Sequence, residues 1–177
     1  MIDLTKNTLP DVIVDKGREF KVNTDFRVWM KFEISLTKMR KGDLLPVDYL
    51  FLGVMPEYCD INSLLEFSRP RNELPRQVFG NRDTIVLDYE LDSDLIYSAF
   101  LGQYGVDLID VEHLHWHKFL AMLAGLNDST RLREVMGYRC YEKSNEKEEV
   151  WRGKLRRAWE IDRMSAEERE ELDEFSN

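Results

Sequence analysis

DSDLIYSAFLGQYGVDLIDVEHLHWHKFLAMLAGLNDSTRLREVMGYR, residues 92 to 139, decides the fold, because it reads as three helices in one short block. Asp92 or Ser93 can accept a hydrogen bond from the free amides of a first turn, and Asp94 suits the positive end of the helix dipole. Gly105 can adopt the left-handed conformation that closes the far end. The expected helix therefore covers residues 93 to 104, with Ile96, Phe100 and Gln103 on one face and Tyr97, Leu101 and Tyr104 on a second. Apolar character on two sides predicts a buried helix. A second helix is expected from Asp110, carrying Trp116, Phe119, Leu120 and Leu123 on one stripe, and ending at Gly125 with Leu126 folded back over the last turn. A third runs from Asp128 or Ser129 to Gly137. Short turns between the three imply antiparallel or steeply crossed neighbours around a shared core.

Upstream of this block the texture differs. Val12-Ile13-Val14 and Phe20-Lys21-Val22 are β-favouring runs around Asp15-Lys16-Gly17-Arg18, where Gly17 can supply a positive φ, so a β-hairpin is expected over residues 11 to 22. Asn23, Thr24 or Asp25 then caps a helix with Phe26, Trp29, Met30, Phe32, Ile34 and Leu36 spread over more than one side. Pro46, Pro56, Pro70 and Pro75 punctuate the stretch after it, with short helices expected at Val47 to Leu52 and Ile61 to Phe67 and a polar, mobile loop from Arg69 to Arg82. Thr84 to Tyr89 fits either a brief strand or an extended lead-in to the Asp92 helix.

Downstream, Ser144 can cap a helix with Glu146, Glu148 and Glu149 in its first turns and Lys154, Arg156, Arg157 and Arg163 later, the order the helix dipole favours. Its apolar stripe is narrow: Trp151, Leu155, Ala158 and Trp159. A capping box, Ser165-Ala166-Glu167-Glu168, opens a short acidic tail helix. A narrow stripe with two tryptophans either packs on the protein's own core or forms a docking face for another chain. In the second case losing either tryptophan costs about 2 kcal/mol or more of binding. The architecture expected is mainly α: one compact helical core domain, residues 1–141, with a small N-terminal β-hairpin, and a charged C-terminal helical extension, residues 142–177.

Composition narrows the functional classes. The chain has 177 residues, 43% of them hydrophobic, enough for one sizeable core. No apolar run approaches the roughly 20 residues that span a bilayer, and the N-terminus has no signal- or transit-peptide character, so a cytoplasmic, membrane-free protein is expected. The net charge of −9 is uneven: residues 1 to 80 are neutral, 81 to 140 carry −5 and 141 to 177 carry −4. That acidity, without a basic stripe, argues against nucleic-acid binding. Cys59 and Cys140 match no CxxC pattern and are expected as free, reduced thiols.

The histidines invite a metal site. On a helix His113 and His117 would lie one turn apart on one face, with His115 pointing away. The order EHLHWH places no glutamate between two ligands as HExxH does, so no metal and no cofactor is expected, and the histidines read as flank residues with ordinary hydrogen bonds. There is no Gly-rich phosphate loop, no GxSxG elbow and no cysteine motif, and carboxylate pairs such as Asp92 and Asp94 are explained by helix starts. Catalysis is not expected.

Asp94-Leu95-Ile96-Tyr97 with Ala99-Phe100, then Tyr104-Gly105-Val106-Asp107-Leu108, Leu114-His115-Trp116 with Lys118-Phe119, and Met136-Gly137-Tyr138-Arg139 together resemble the bacteriophage "gene product fifteen" family. This family occurs in long-tailed phages and prophages of Gram-positive bacteria, and the likeness extends from the hairpin to about Tyr141. The chain departs from it at His117, where an aromatic is expected. The resemblance implies a siphophage tail assembly chaperone-like protein acting in the host cytoplasm and absent from the finished virion. It would keep the tape measure protein soluble and help recruit tail tube subunits. The implied partners are the tape measure protein, the major tail protein, a frameshift-related assembly partner and a second copy of the chain. On physical grounds Trp151, Leu155 and Trp159 are the expected partner-binding residues, while Tyr97, Trp116 and Phe119 are expected in the core. The alternatives are a structural tail or head component retained in the virion, and a metal-binding or enzymatic phage protein.

Overall fold

The computed structural model describes residues 2–40, 42–69, 84–141 and 150–161. It is mainly α-helical, with one two-stranded antiparallel hairpin near the N-terminus and a helix near the C-terminus. Its contacts divide it into two compact units, one of residues 1–78 and 87–133, the other of residues 79–86 and 134–177.

The first unit begins with β1, Val12–Asp15, and β2, Arg18–Lys21, paired in the register Val12↔Lys21 to Asp15↔Arg18. Lys16 and Gly17 both take positive φ, 49° and 76°, the two-residue turn whose twist matches the strands it joins. Asp15 is buried at the strand end, where its Oδ1 accepts from the Asp60 amide and the Ser63 hydroxyl. That fastens the hairpin to the start of α2, Ile61–Ser68. An isolated bridge between Val22 and Phe51 and the bond from the Leu52 amide to the Lys21 carbonyl extend the pairing past the hairpin.

Helix α1, Phe26–Lys38, starts at Asp25, whose carboxylate accepts the Arg27 amide. It buries Phe26, Trp29, Phe32 and Glu33, whereas Met30, Ile34 and Leu36 are only half-buried, so one face carries most of its packing. Glu33 accepts from the Ser68 hydroxyl and from the Arg69 guanidinium through both its oxygens, so the buried carboxylate at the end of α2 is compensated. The expected helix at Val47 to Leu52 is a three-residue 3₁₀ turn, Asp48–Leu50, that seats a fully buried Leu50.

Thr84 to Asp88 is an irregular lead-in and not a strand. Asp92 does not cap α3, Ser93–Tyr104, with its side chain; the carboxylate turns back to accept the Asp88 amide. Gly105 closes α3 with φ 64°, as its position implied. Ile96, Ala99 and Phe100 are buried, but Leu101 is exposed and Tyr97 and Tyr104 are half-exposed, so α3 is not buried on two sides. Tyr97 is accordingly not a core residue; its hydroxyl donates to Asp107, while Tyr104 donates to the Met122 carbonyl.

Helix α4 spans Trp116–Ala124 rather than starting at Asp110. Two local structures consume the residues between. Asp107 gathers the amides of Ile109 and Asp110 into a turn, and the next residues run extended against the start of α1, with Phe26 N donating to Leu114 O and Trp116 N to Thr24 O. Helix α5, Arg131–Arg139, begins two residues later than Ser129 and continues past Gly137, which does not end it.

Phe119 on α4 sits at the centre of the first unit's core. Its ring stacks on Phe26 (centroids 5.1 Å apart), Phe100 (5.0 Å) and Trp116 (5.5 Å), all within 17° of parallel. Trp116 and Phe119 are buried, as their spacing predicted. Trp116 and Trp29 satisfy their indole N–H groups on the carbonyls of Ser68 and Asn23.

In the second unit α5 carries the chain toward α6, Val150–Trp159. Arg139, 4% exposed, donates from Nε to the Trp159 carbonyl and from Nη1 to the Val86 carbonyl. Arg156 donates to the Tyr141 carbonyl. The expected Ser144 cap, most of the polar loop and the acidic tail helix lie outside the described residues. No helix among the described residues is long and apolar enough to cross a membrane.

Candidate functional site

The three histidines occupy three environments, because the chain enters α4 only at Trp116. His113 and His117 therefore do not share a helix face. His113 is exposed, its Nε2 3.2 Å from the Thr24 hydroxyl. His115 is the N-cap of α4: its Nδ1 accepts the His117 amide, so Nε2 holds the proton and faces the Pro10 carbonyl at 2.9 Å. His117, 4% exposed, donates from Nε2 to the Phe67 carbonyl and leaves a buried Nδ1 without a partner.

Burial holds the pKa of His115 below its ordinary value. Burial likewise takes His117 down to about 4, against the opposing pull of its bond to Phe67. Neither is the flank residue the sequence suggested. Among the described residues no group of three or more His, Cys, Asp or Glu is arranged to hold a metal. Cys59 and Cys140 are free thiols, and burial together with Asp15 and Asp60 pushes Cys59 up to about 11, which makes it a poor nucleophile.

An open cleft of about 530 Å³, bordered by Asn7, Thr8, Thr24, His113, His115 and Lys118, lies beside this segment. Its walls hold one cation, Lys118, and one carboxylate, Asp11, without a buried nucleophile–base pair.

The expected binding residues lie on α6. Trp151, Leu155 and Trp159 share one stripe at i, i+4 and i+8, and no residue of the helix is buried. Trp151 is 54% exposed, and Leu155 and Trp159 are half-buried. The helix is fastened at its last turn: Arg139 donates to the carbonyl of Trp159, where the helix dipole is negative, and Arg156 donates to the Tyr141 carbonyl. Sequence reasoning missed this clasp, because Arg139 reads as an ordinary last-turn cation of α5 and its partners are distant carbonyls. The helix itself carries Arg152, Lys154, Arg156 and Arg157 and no carboxylate, in keeping with the cations expected in its later turns.

The model of the family described as "Bacteriophage Gp15 protein" matches residues 57–164. The chain belongs to the bacteriophage Gp15 protein family. Neither a curated protein nor a solved structure matches the chain. The Gp15 match differs from the likeness drawn on the sequence at both ends. It leaves out the hairpin and α1, and it takes in the whole of α6. The tryptophan-bearing helix thus lies within the matched residues.

Proposed function

We propose that the protein is a tail assembly chaperone-like binding protein of a long-tailed phage, acting without catalysis. In this reading it binds the tape measure protein in the host cytoplasm, covers apolar helical stripes until tail tube subunits replace it, and leaves before the virion is complete. The major tail protein and a frameshift-related assembly protein are secondary partners in this scheme. Membership of the Gp15 family supports the phage setting. The observation that carries the binding role is α6: a helix fastened through backbone carbonyls, with an aromatic stripe turned partly to solvent. Tryptophan and arginine, which meet here as Trp151 and Arg152, are the residues enriched at interface hot spots, and one helix laid on another is a common way to cover such a stripe.

Co-expression with the neighbouring tape measure protein tests the proposal. Recovery of a soluble complex, weakened by Trp151→Ala, is the expected result. An insoluble tape measure protein with no complex would refute it. Mass spectrometry of purified particles separates a chaperone, which is absent, from a structural component, which is present.

A further inference from the structure

The charges of α6 are ordered around its stripe. At about 100° per residue, Trp151, Leu155, Ala158 and Trp159 form one band, Lys154 borders it on one side, and Arg152 and Arg156 border it on the other. Arg157 lies farther round. Among the described residues none of these four cations is in an ion pair: Arg152 rests over the Trp151 ring at 5.6 Å and Arg156 donates to a carbonyl. A ten-residue helix with four positive charges and no carboxylate of its own stands out in a chain of net charge −9.

From this we infer that α6 docks an amphipathic helix of a partner protein that carries Asp or Glu along both flanks of its own apolar stripe. This deepens the chaperone reading and rests on it for the setting. The apolar band lies between Lys154 on one side and Arg152 and Arg156 on the other, so one occupant must cover the band and answer both flanks. A helix with an apolar face and acidic flanks does both, as the flanking charges of paired coiled-coil helices do. A phosphodiester backbone would meet the cations but leave the tryptophans wet. A membrane surface would need a wider apolar face, because binding there scales with buried apolar area.

The test uses the full chain and a fluorescein-labelled designed peptide of about 18 residues, long enough to hold a helix, with Leu along one face and Glu on both flanks. A second peptide replaces every Glu by Lys. Fluorescence anisotropy should show binding of the Glu peptide only. Trp151→Ala should weaken it about 30-fold, and Arg152→Glu with Lys154→Glu at least tenfold. Circular dichroism should be unchanged in both, since these side chains are exposed.

Equal binding of both peptides, or variants that bind like the natural protein, would overturn the inference. So would tighter binding to single-stranded oligodeoxythymidylate or to phosphatidylglycerol vesicles than to the Glu peptide. The two readings fail separately: Glu-peptide binding without a tape measure complex removes the tail role and keeps the docking face, and the reverse removes the face.

Discussion

Replacing His117 by phenylalanine should remove a specific part of the protein's acid sensitivity. The imidazole is buried with its only proton committed to the Phe67 carbonyl, and its free Nδ1 faces no partner. The neighbouring His115 ring, 5.2 Å away, has its own charged form disfavoured by burial, and an imidazole offers no negative counter-charge. With a folded pKa of about 4 and an unfolded value near 6.5, unfolding takes up a proton across that window, so stability is complete above pH 6.5 and falls as pH falls toward 4.

The slope is about 1.4 kcal/mol per pH unit inside the window, which sums to about 2 kcal/mol between pH 7.5 and pH 5. That is a large share of a typical stability of about 5–15 kcal/mol. Urea titrations of both proteins at about pH 7.5, 6.5, 5.7 and 5.0 isolate the effect by difference, because His115, whose pKa burial also lowers, is present in both. The variant loses one donor to Phe67 but also the orphaned nitrogen, so its stability at pH 7.5 should stay within about 1 kcal/mol of the original. Its loss on going to pH 5 should be smaller by about 2 kcal/mol. Parallel curves for the two proteins would refute the reasoning, since they would mean that His117 protonates freely in the folded state.

Phe119→Ala should cost about 3–5 kcal/mol in chemical denaturation, because the ring at the centre of three stacked aromatics cannot be replaced by collapse. Arg139→Leu should leave the first unit's hydrogen exchange unchanged and accelerate exchange in α6, since two half-buried carbonyls lose a charged donor at about 1.5 kcal/mol each. Gly105→Ala, at φ 64°, should lower stability by about 1 kcal/mol in thermal melts, although a Cβ there meets open space. Trp151→Ala should change the unfolding midpoint by the equivalent of about 0.5 kcal/mol or less.

The legible parts of the fold were those written in local chemistry. The β-turn at Lys16-Gly17, the cap at Asp25 and the closure at Gly105 each depend on one or two residues and their immediate neighbours. The start of α4 was not legible, because its apolar spacing extends back to Asp110. What overrides it is pairing of Thr24 to Phe26 with Leu114 to Trp116, almost ninety residues apart in the chain. The histidines were misread for the same reason: a ring that caps a helix and one that reaches a carbonyl of α2 look alike in sequence. The stripe of α6 was visible from its spacing, and so were its cations. That Arg152 lies over the Trp151 ring and Arg156 on the Tyr141 carbonyl could be seen only with the side chains placed.

The way α6 is attached separates what holds it from what it displays. Arg139 and Arg156 grip carbonyl oxygens, which every residue supplies alike, so the identities of the displayed side chains do not enter those bonds. The face can therefore change its preferred partner by substitution at the exposed positions 151, 152, 154 and 158 without loosening the helix. A phage protein that must keep pace with a diverging partner gains from such a mounting, and an engineer could use the same positions to rewrite specificity while keeping the scaffold.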